Sequence, residues 1–460
     1  MAGEPSKQGT PKSVIPSPAT AFLGSPVVDD TTTIGSGRSM SIFESFDEMC
    51  LSPQLIAAMS PARTPALVPV APLAFSIQEF SVMLDHKAPV MTDRLNAEAS
   101  AQIKEHGRKG NLPDCWKVWN RLDVSPNEIT LGCMVDALVS CREVRQAESL
   151  VNQWKNKVKP NTVVYSTLIH GWAKENDSRR ALAIFNQMRS ERVVCNAVTY
   201  NCVIHACVRS GDMQGSLDLL REMKSSGTVR PDKFTYSTII KGYCGRGEID
   251  SALYLFQEML REKLAPDLVI YNTLLDGCVK TRHPEVCDEL LDDMISKWRI
   301  YPNSYTLSIL IKRFGRQGDL ARALELVDLW PKRFGFRANA HVWTCLISAC
   351  VTHGRLHTAE CIFASMRGDS EASRELMNNN GEISSSSELK LLSNAVFMAS
   401  SCPADAKTFE TLAMGYLRFN DPARALELVV QGGKGISPQC VSQVAQTAVQ
   451  YGLDISPLVQ

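Results

Sequence analysis

The chain has 460 residues, 44% hydrophobic and 21% charged, with Lys+Arg and Asp+Glu equal at 49 each. This composition holds enough apolar surface for a large core and excludes a wholly disordered chain. Its neutrality excludes a uniformly basic nucleic-acid coat protein while leaving a local basic stripe open.

Residues 1–88 are rich in Ser, Pro, Thr and Ala, as in Pro16-Ser17-Pro18 and Ala66-Leu67-Val68-Pro69-Val70-Ala71-Pro72. Frequent proline denies helix interiors, so this region is expected to be disordered. Glu4, Asp29 and Asp30 and the scarcity of Arg make it a poor transit peptide, and no basic stretch precedes an apolar one as in a secretory signal. Ile42-Phe43 through Phe46 to Met49 has helical spacing and reads as residual local hydrophobicity rather than a docking segment.

From about residue 92 the sequence repeats. Segments beginning at Thr162, Ala197, Lys233, Leu268, Ser304 and Ala340 start 35, 36, 35, 36 and 36 residues apart. Each opens alike, from Val163-Val164-Tyr165-Ser166-Thr167-Leu168-Ile169 and Val198-Thr199-Tyr200-Asn201-Cys202-Val203-Ile204 to His341-Val342-Trp343-Thr344-Cys345-Leu346-Ile347. A polar turn such as Ser210-Gly211-Asp212 leads to a second amphipathic run such as Ala252-Leu253-Tyr254-Leu255-Phe256-Gln257-Glu258-Met259. Apolar positions at i, i+3, i+4 and i+7 call for helix in both runs. Pro160-Asn161, Pro231-Asp232, Pro266-Asp267 and Pro302-Asn303 close units, with Pro stopping one helix and Asp or Asn capping the next. One such pair cannot bury its own apolar faces but a stack can. The expected fold is therefore all-α, a right-handed α-solenoid of helix–turn–helix units with the first helices on the concave side.

Divergent units extend the array over 96–127 and 128–161. The regular array is expected over 89–367, and residues 368–402, with Asn378-Asn379-Asn380 and Ser384-Ser385-Ser386-Ser387, read as a polar insertion or long loop. Residues 403–460 read as a last repeat and a capping helix. The fifteen cysteines are scattered without a CxxC pair, and HExxH and Walker A patterns are absent. Zinc chemistry and nucleotide-triphosphate binding are thus not expected, no cofactor is implied, and the cysteines read as reduced core residues. No run of about eighteen apolar residues suggests a membrane span. No catalytic constellation stands out, so the chain reads as a non-enzyme.

The V-T-Y-N-T-L-I-like openings, Gly-bearing turns, A-L-x-L-F-x-x-M-like second runs and terminal Pro-Asp or Pro-Asn resemble the pentatricopeptide repeat, and units of 35–36 resemble its P-type subclass. The resemblance implies single-stranded RNA binding at one base per repeat. It also implies a role in RNA processing, stability or translation in a mitochondrion or plastid, with the cytoplasm left open by the weak N-terminal signal. A nuclease or other processing factor would then be a partner. The implied base-recognition pairs are Ser166 with Asn196 (adenine), Asn201 with Asp232 (uracil), Ser237 with Asp267 (guanine), Asn272 with Asn303 (a pyrimidine) and Ser308 with Asn339 (adenine). Bases would be sandwiched on Val163, Val198, Phe234, Val269 and Tyr305. Gly132 with Asn161 has no assignment because glycine has no reading group, and Thr344 is left unpaired because residues 368–402 separate it from Asp405.

Arg108, Lys174, Arg209, Lys280 and Arg316 share one position of their units and form a candidate phosphate row. The same cations also suit helix C-termini. Residues 92–367 carry about seven excess positive charges, balanced by the rest of the chain. The alternative function is a protein-binding solenoid scaffold, which the same concave face would serve.

Overall fold

Amphipathic runs of ten to fifteen residues cannot stand alone in water, and their apolar stripes decide how they stack. The computed structural model describes residues 77–458 except 379–380 and 382–384, all within the compact unit Pro69–Gln460. The first helices of the pairs are α1 (Ile77–Arg108), α3 (Glu128–Ser140), α5 (Thr162–Lys174), α7 (Ala197–Ser210), α9 (Lys233–Arg246), α11 (Leu268–Thr281), α13 (Ser304–Gln317), α15 (Ala340–Thr352) and α19 (Ala406–Arg418). Their partners are α2 (Leu112–Asn120), α4 (Val144–Trp154), α6 (Ser178–Ser190), α8 (Met213–Ser226), α10 (Ile249–Arg261), α12 (Pro284–Asp292), α14 (Leu320–Phe334), α16 (Leu356–Met366) and α20 (Pro422–Gly432). Two extra helices, α17 (Ser370–Asn378) and α18 (Ser386–Ala399), precede α19, and α21 (Pro438–Gln450) packs on α19 and α20. No strand occurs among the described residues.

Each first helix packs on its own partner and on the first helices before and after it, whereas consecutive second helices are more widely spaced and meet through long side chains, as in the Arg180–Glu148 and Arg189–Glu222 ion pairs at 3.2 and 3.0 Å. The first helices therefore line the inner side of this α-solenoid. Their close approach depends on missing side chains: a Cβ added to Gly315 would lie 2.6 Å from the Ala349 Cβ, and one on Gly171 3.0 Å from Val139. The turns between paired helices need the left-handed region, which Gly211 (φ 83°) and Gly318 (φ 82°) supply. Asn176 and Arg282 hold the equivalent turns at φ 59° and 62° despite their side chains.

The core repeats with the units. Tyr165, Tyr236, Tyr271 and Trp343 from the inner row and Phe185 and Phe256 from the outer row are fully buried. Tyrosine hydroxyls reach acidic groups at the outer-helix ends, Tyr200 donating to Glu222 at 2.8 Å and Tyr271 to Asp293 at 2.6 Å. Burial, reinforced by Glu222, pushes the Tyr200 hydroxyl up to about 12, so it stays protonated and donating. The described cysteines are free, and burial pushes the Cys207 thiol up to about 12, as suits a packing residue.

Two boundaries differ from the sequence reading. Residues 368–402 are not a long loop. Ser385 caps α18 by accepting from the Glu388 N–H at 3.1 Å, and Leu392, Ala395 and Ala399 are fully buried on one face of it. Of the Asn and Ser runs that suggested a loop, Asn378 ends α17, Ser385 caps α18 and Ser386 and Ser387 begin it, while Asn379, Asn380 and Ser384 lie outside the described residues. Helix α1 begins at Ile77, ahead of the boundary at 88, because the proline-rich stretch ends at Pro72 and Ile77, Phe80 and Leu84 resume helical spacing. The expected disorder of 1–76 and the Ile42–Met49 patch lie outside the described residues.

Candidate nucleic-acid interface

A helix N-terminus leaves backbone N–H groups without intrahelical partners, and an Asp or Asn just before it supplies an acceptor. In this solenoid that cap residue is also the last residue of the preceding unit. Asn127, Asn161, Asn196, Asp232, Asp267, Asn303, Asn339 and Asp405 all occupy it with extended backbone and accept from the first turn of the following inner helix. Capping is thus an established role for every last residue that the sequence singled out.

The same residues meet the reading candidates of the preceding unit. Ser166 Oγ lies 3.0 Å from Thr199 Oγ1, which donates to Asn196 Oδ1 at 3.0 Å. Asn201 Nδ2 approaches both Asp232 oxygens at 3.3 Å, while its Oδ1 accepts from Thr235 at 2.6 Å. Asn272 Oδ1 accepts from Thr306 at 2.8 Å, and Thr306 is held by Asn303 at 3.2 Å. A threonine at the third helical position links reader to cap in each case. Where Ile270 or Val342 replaces it, the link is missing: Asp267 instead pairs with Lys233 at 2.8 Å, and Ser308 donates back to the Ser304 carbonyl at 2.8 Å.

Two further pairs share this geometry and were missed from sequence. Ser100 Oγ lies 3.0 Å from Thr130 Oγ1, itself bonded to Asn127 at 2.9 Å. Thr344 Oγ1 lies 2.9 Å from Thr408 Oγ1, which donates to Asp405 at 2.7 Å. The Thr344 link is possible because α15 packs directly on α19, while α17 and α18 pack on outer helices, α17 on α16 and α18 on α14 and α16. The signal in the sequence was the third-position threonine, present at Thr130 and Thr408 as at Thr199.

Flanking the pairs, Val163 and Val269 are 37% and 42% exposed, and Val198, Phe234 and Tyr305 are half-buried, so each offers an apolar face. Ile129, at the same position and 65% exposed, extends this row and was not singled out from sequence. The cation row divides. Arg316 donates to the Val279 carbonyl at 2.6 Å, Arg209 to Asn176 at 2.8 Å, and Lys280 pairs with Asp276 at 2.7 Å. Arg316 therefore satisfies a carbonyl near the C-terminus of α11. Among the described residues, Arg108 and Lys174 form no hydrogen bond or ion pair with the protein and stand near half-buried Asp136, whose carboxyl burial pushes up.

The family model described as the PPR repeat family matches residues 160–207, 196–245, 231–269 and 266–316, and the PPR repeat model matches 341–370. The chain is a pentatricopeptide repeat protein. Among curated relatives it is similar to Arabidopsis thaliana "Pentatricopeptide repeat-containing protein At1g56690, mitochondrial", 31% identical over 28% of this chain and 18% of the relative. It is also similar to "Pentatricopeptide repeat-containing protein At5g39350" of the same plant, 23% identical over 53% of this chain and 30% of the relative. Matches of this kind span between 17% and 30% of the relatives' own length. Among solved structures, it resembles the pentatricopeptide repeat protein PPR10 in complex with an 18-nt psaJ RNA element, at TM-score 0.44 and 18% identity over 83% of this chain and 62% of that one. The matched repeats of this pentatricopeptide repeat protein carry four of the five reading pairs expected from the sequence, from Ser166 with Asn196 to Asn272 with Asn303.

Proposed function

We propose that the inner row binds single-stranded RNA, one base per unit, and acts by occupying a transcript segment in RNA processing, stability or translation. The observation that carries this reading is the in-register pairing of a small hydroxyl or amide with a capping Asn or Asp in unit after unit, beside an apolar row.

Capping determines what each last residue shows the groove. A backbone N–H needs an acceptor, so an asparagine turns Oδ1 to its helix and leaves the Nδ2 donor outward, whereas an aspartate leaves a second acceptor oxygen. A donor suits adenine N1 or cytosine N3; an acceptor suits guanine N1–H or uracil N3–H. A short Ser or Thr from the preceding inner helix leaves room for a purine, and the longer Asn suits a pyrimidine. On this chemistry Ser166 with Asn196 and Ser308 with Asn339 take adenine, Asn201 with Asp232 uracil, Ser237 with Asp267 guanine, and Asn272 with Asn303 cytosine. Ser100 with Asn127 adds adenine and Thr344 with Asp405 adds guanine. In the 5′-to-3′ order that the family resemblance implies, with N opposite Gly132, the site reads 5′-A-N-A-U-G-C-A-G-3′. Val163, Val198, Phe234, Val269, Tyr305 and Ile129 would sandwich the bases. Lys174 and Arg108 would meet phosphates, joined by Arg209 and Lys280 if the bound strand displaces their present partners.

An organellar transcript is the favoured target, in keeping with relatives whose names carry the word mitochondrial. The test is selection from a random RNA pool with the full chain at two salt concentrations. Enrichment of the A-U-G-C-A core, weakening as salt rises, is expected. Absence of RNA binding would overturn the reading in favour of a protein-binding scaffold.

A further inference from the structure

The unit over 128–161 has no assigned letter, because Gly132 carries no reading group. Its cap is nevertheless engaged. Asn161 Oδ1 accepts from the Val163 and Val164 N–H groups at 3.1 Å each, which leaves Nδ2 outward, and that donor goes to Glu128 Oε2 at 3.0 Å. Glu128 is exposed and is the first residue of α3, one turn before Gly132. It makes no other hydrogen bond among the described residues. First positions elsewhere behave differently. Thr162 and Ser304 turn their hydroxyls to the Val194 and Arg337 carbonyls, and Ala197 and Leu268 have no polar side-chain atom. Lys233 makes a reach like that of Glu128, to Asp267 at 2.8 Å. An acid at the first helical position suits the helix N-terminus, but that interaction does not require the carboxylate to engage the cap of α5.

The bond changes what this unit offers a base. By itself the Asn161 donor would suit adenine N1 or cytosine N3. With Glu128 on it, the outer group is a carboxylate with two acceptor oxygens. Of the four bases only guanine has two adjacent donors, N1–H and N2–H, on its Watson–Crick edge. The missing side chain of Gly132 leaves room for a purine: a Cβ added there would lie 3.7 Å from Val164 Cγ2, an ordinary contact. We propose that Glu128 is the base-reading side chain of this unit and selects guanine at the open letter, so that the site reads 5′-A-G-A-U-G-C-A-G-3′. This assignment rests on the RNA-reading function above. Lys233 keeps guanine the letter at Ser237, since Nζ donates to O6 while Asp267 takes N1–H.

The experiment measures affinity of the full chain for 5′-A-N-A-U-G-C-A-G-3′ with guanosine, inosine, adenosine, cytidine or uridine at N. Wild type should favour guanosine over the other three standard letters by about tenfold, the worth of a bidentate contact. Inosine, which lacks the N2 amino group, should bind about three- to fivefold more weakly than guanosine, the worth of one hydrogen bond. E128A returns the Asn161 donor to the groove. It should move the preference to adenosine and leave the melting temperature nearly unchanged. E128Q, with one acceptor beside an amide donor, should lose the difference between guanosine and inosine. A wild type indifferent to N, or one that prefers another letter, overturns the proposal by itself, as does an E128A that still favours guanosine. If N201S shifts base preference while N changes nothing, only this inference falls; if no RNA binds, the proposed function falls with it.

Discussion

The regular run over 162–339 and the junction over 340–418 solve one stacking problem in two ways. In the regular run each inner helix is followed, one unit on, by the next inner helix. At the junction α17 and α18 intervene in sequence, yet α15 still meets α19 directly and the extra pair sits against the outer helices. The difference teaches that the two rows tolerate insertion unequally. Inner helices approach so closely that a Cβ on Gly315 or Gly415 would clash with Ala349 or Val351, leaving no room for a third element. Outer helices are more widely spaced, and at the junction α18 packs against α14 and α16, burying Leu392, Ala395 and Ala399 and adding an ion pair between Arg355 and buried Glu388.

The comparison can be broken most directly at its glycines. Gly415→Val at the junction and Gly171→Val in the regular run should each cost about 1–3 kcal/mol by overpacking, read by urea denaturation. A harmless Gly415→Val would mean that α15 and α19 are not packed as regular neighbours.

A second test asks whether the junction reads RNA as the regular run does. Asn201→Ser should move preference from uracil to guanine, and Thr344→Asn from guanine to uracil, each by about 1–3 kcal/mol of discrimination in a selection experiment. A switch at Asn201 without one at Thr344 would confine reading to the regular run. Glu388→Ala touches the junction alone. It should lower stability by about 1–3 kcal/mol and leave base preference at Asn201 unchanged, because it strips a partner from Arg355 without reaching the inner row.

Smaller effects sharpen the picture of the regular run. Lys174→Ala should reduce the salt slope of RNA affinity by about one, and Arg316→Ala should leave it nearly unchanged, since Arg316 is committed to the Val279 carbonyl. Arg282→Gly, which relieves φ 62°, should stabilise by about 0.5–1 kcal/mol in thermal unfolding.

Much of this was legible in the sequence because a repeat states its rule many times over. Tyr165, Tyr200, Tyr236 and Tyr271 recur at one position, and Asn196, Asp232, Asp267 and Asn303 recur at another, so period, helix pairing and candidate readers follow from alignment of the chain with itself. Ser100 and Thr344 escaped because their units are irregular: the first is short, and the second is separated from its cap by the inserted helices. The division of the cations escaped as well. Arg316 and Lys174 hold the same repeat position, and spacing does not reveal that one reaches a carbonyl of α11 while the other stands near Asp136.

By itself the sequence determined the all-α class, the unit length, the caps and the apolar stripes, because these depend on interactions within a few turns of chain. Tertiary structure alone decided where α17 and α18 sit, which reader meets which cap across the junction, and that Glu128 accepts from Asn161. Those outcomes depend on which surfaces lie close enough to exclude one another, and that distance is set by packing between units.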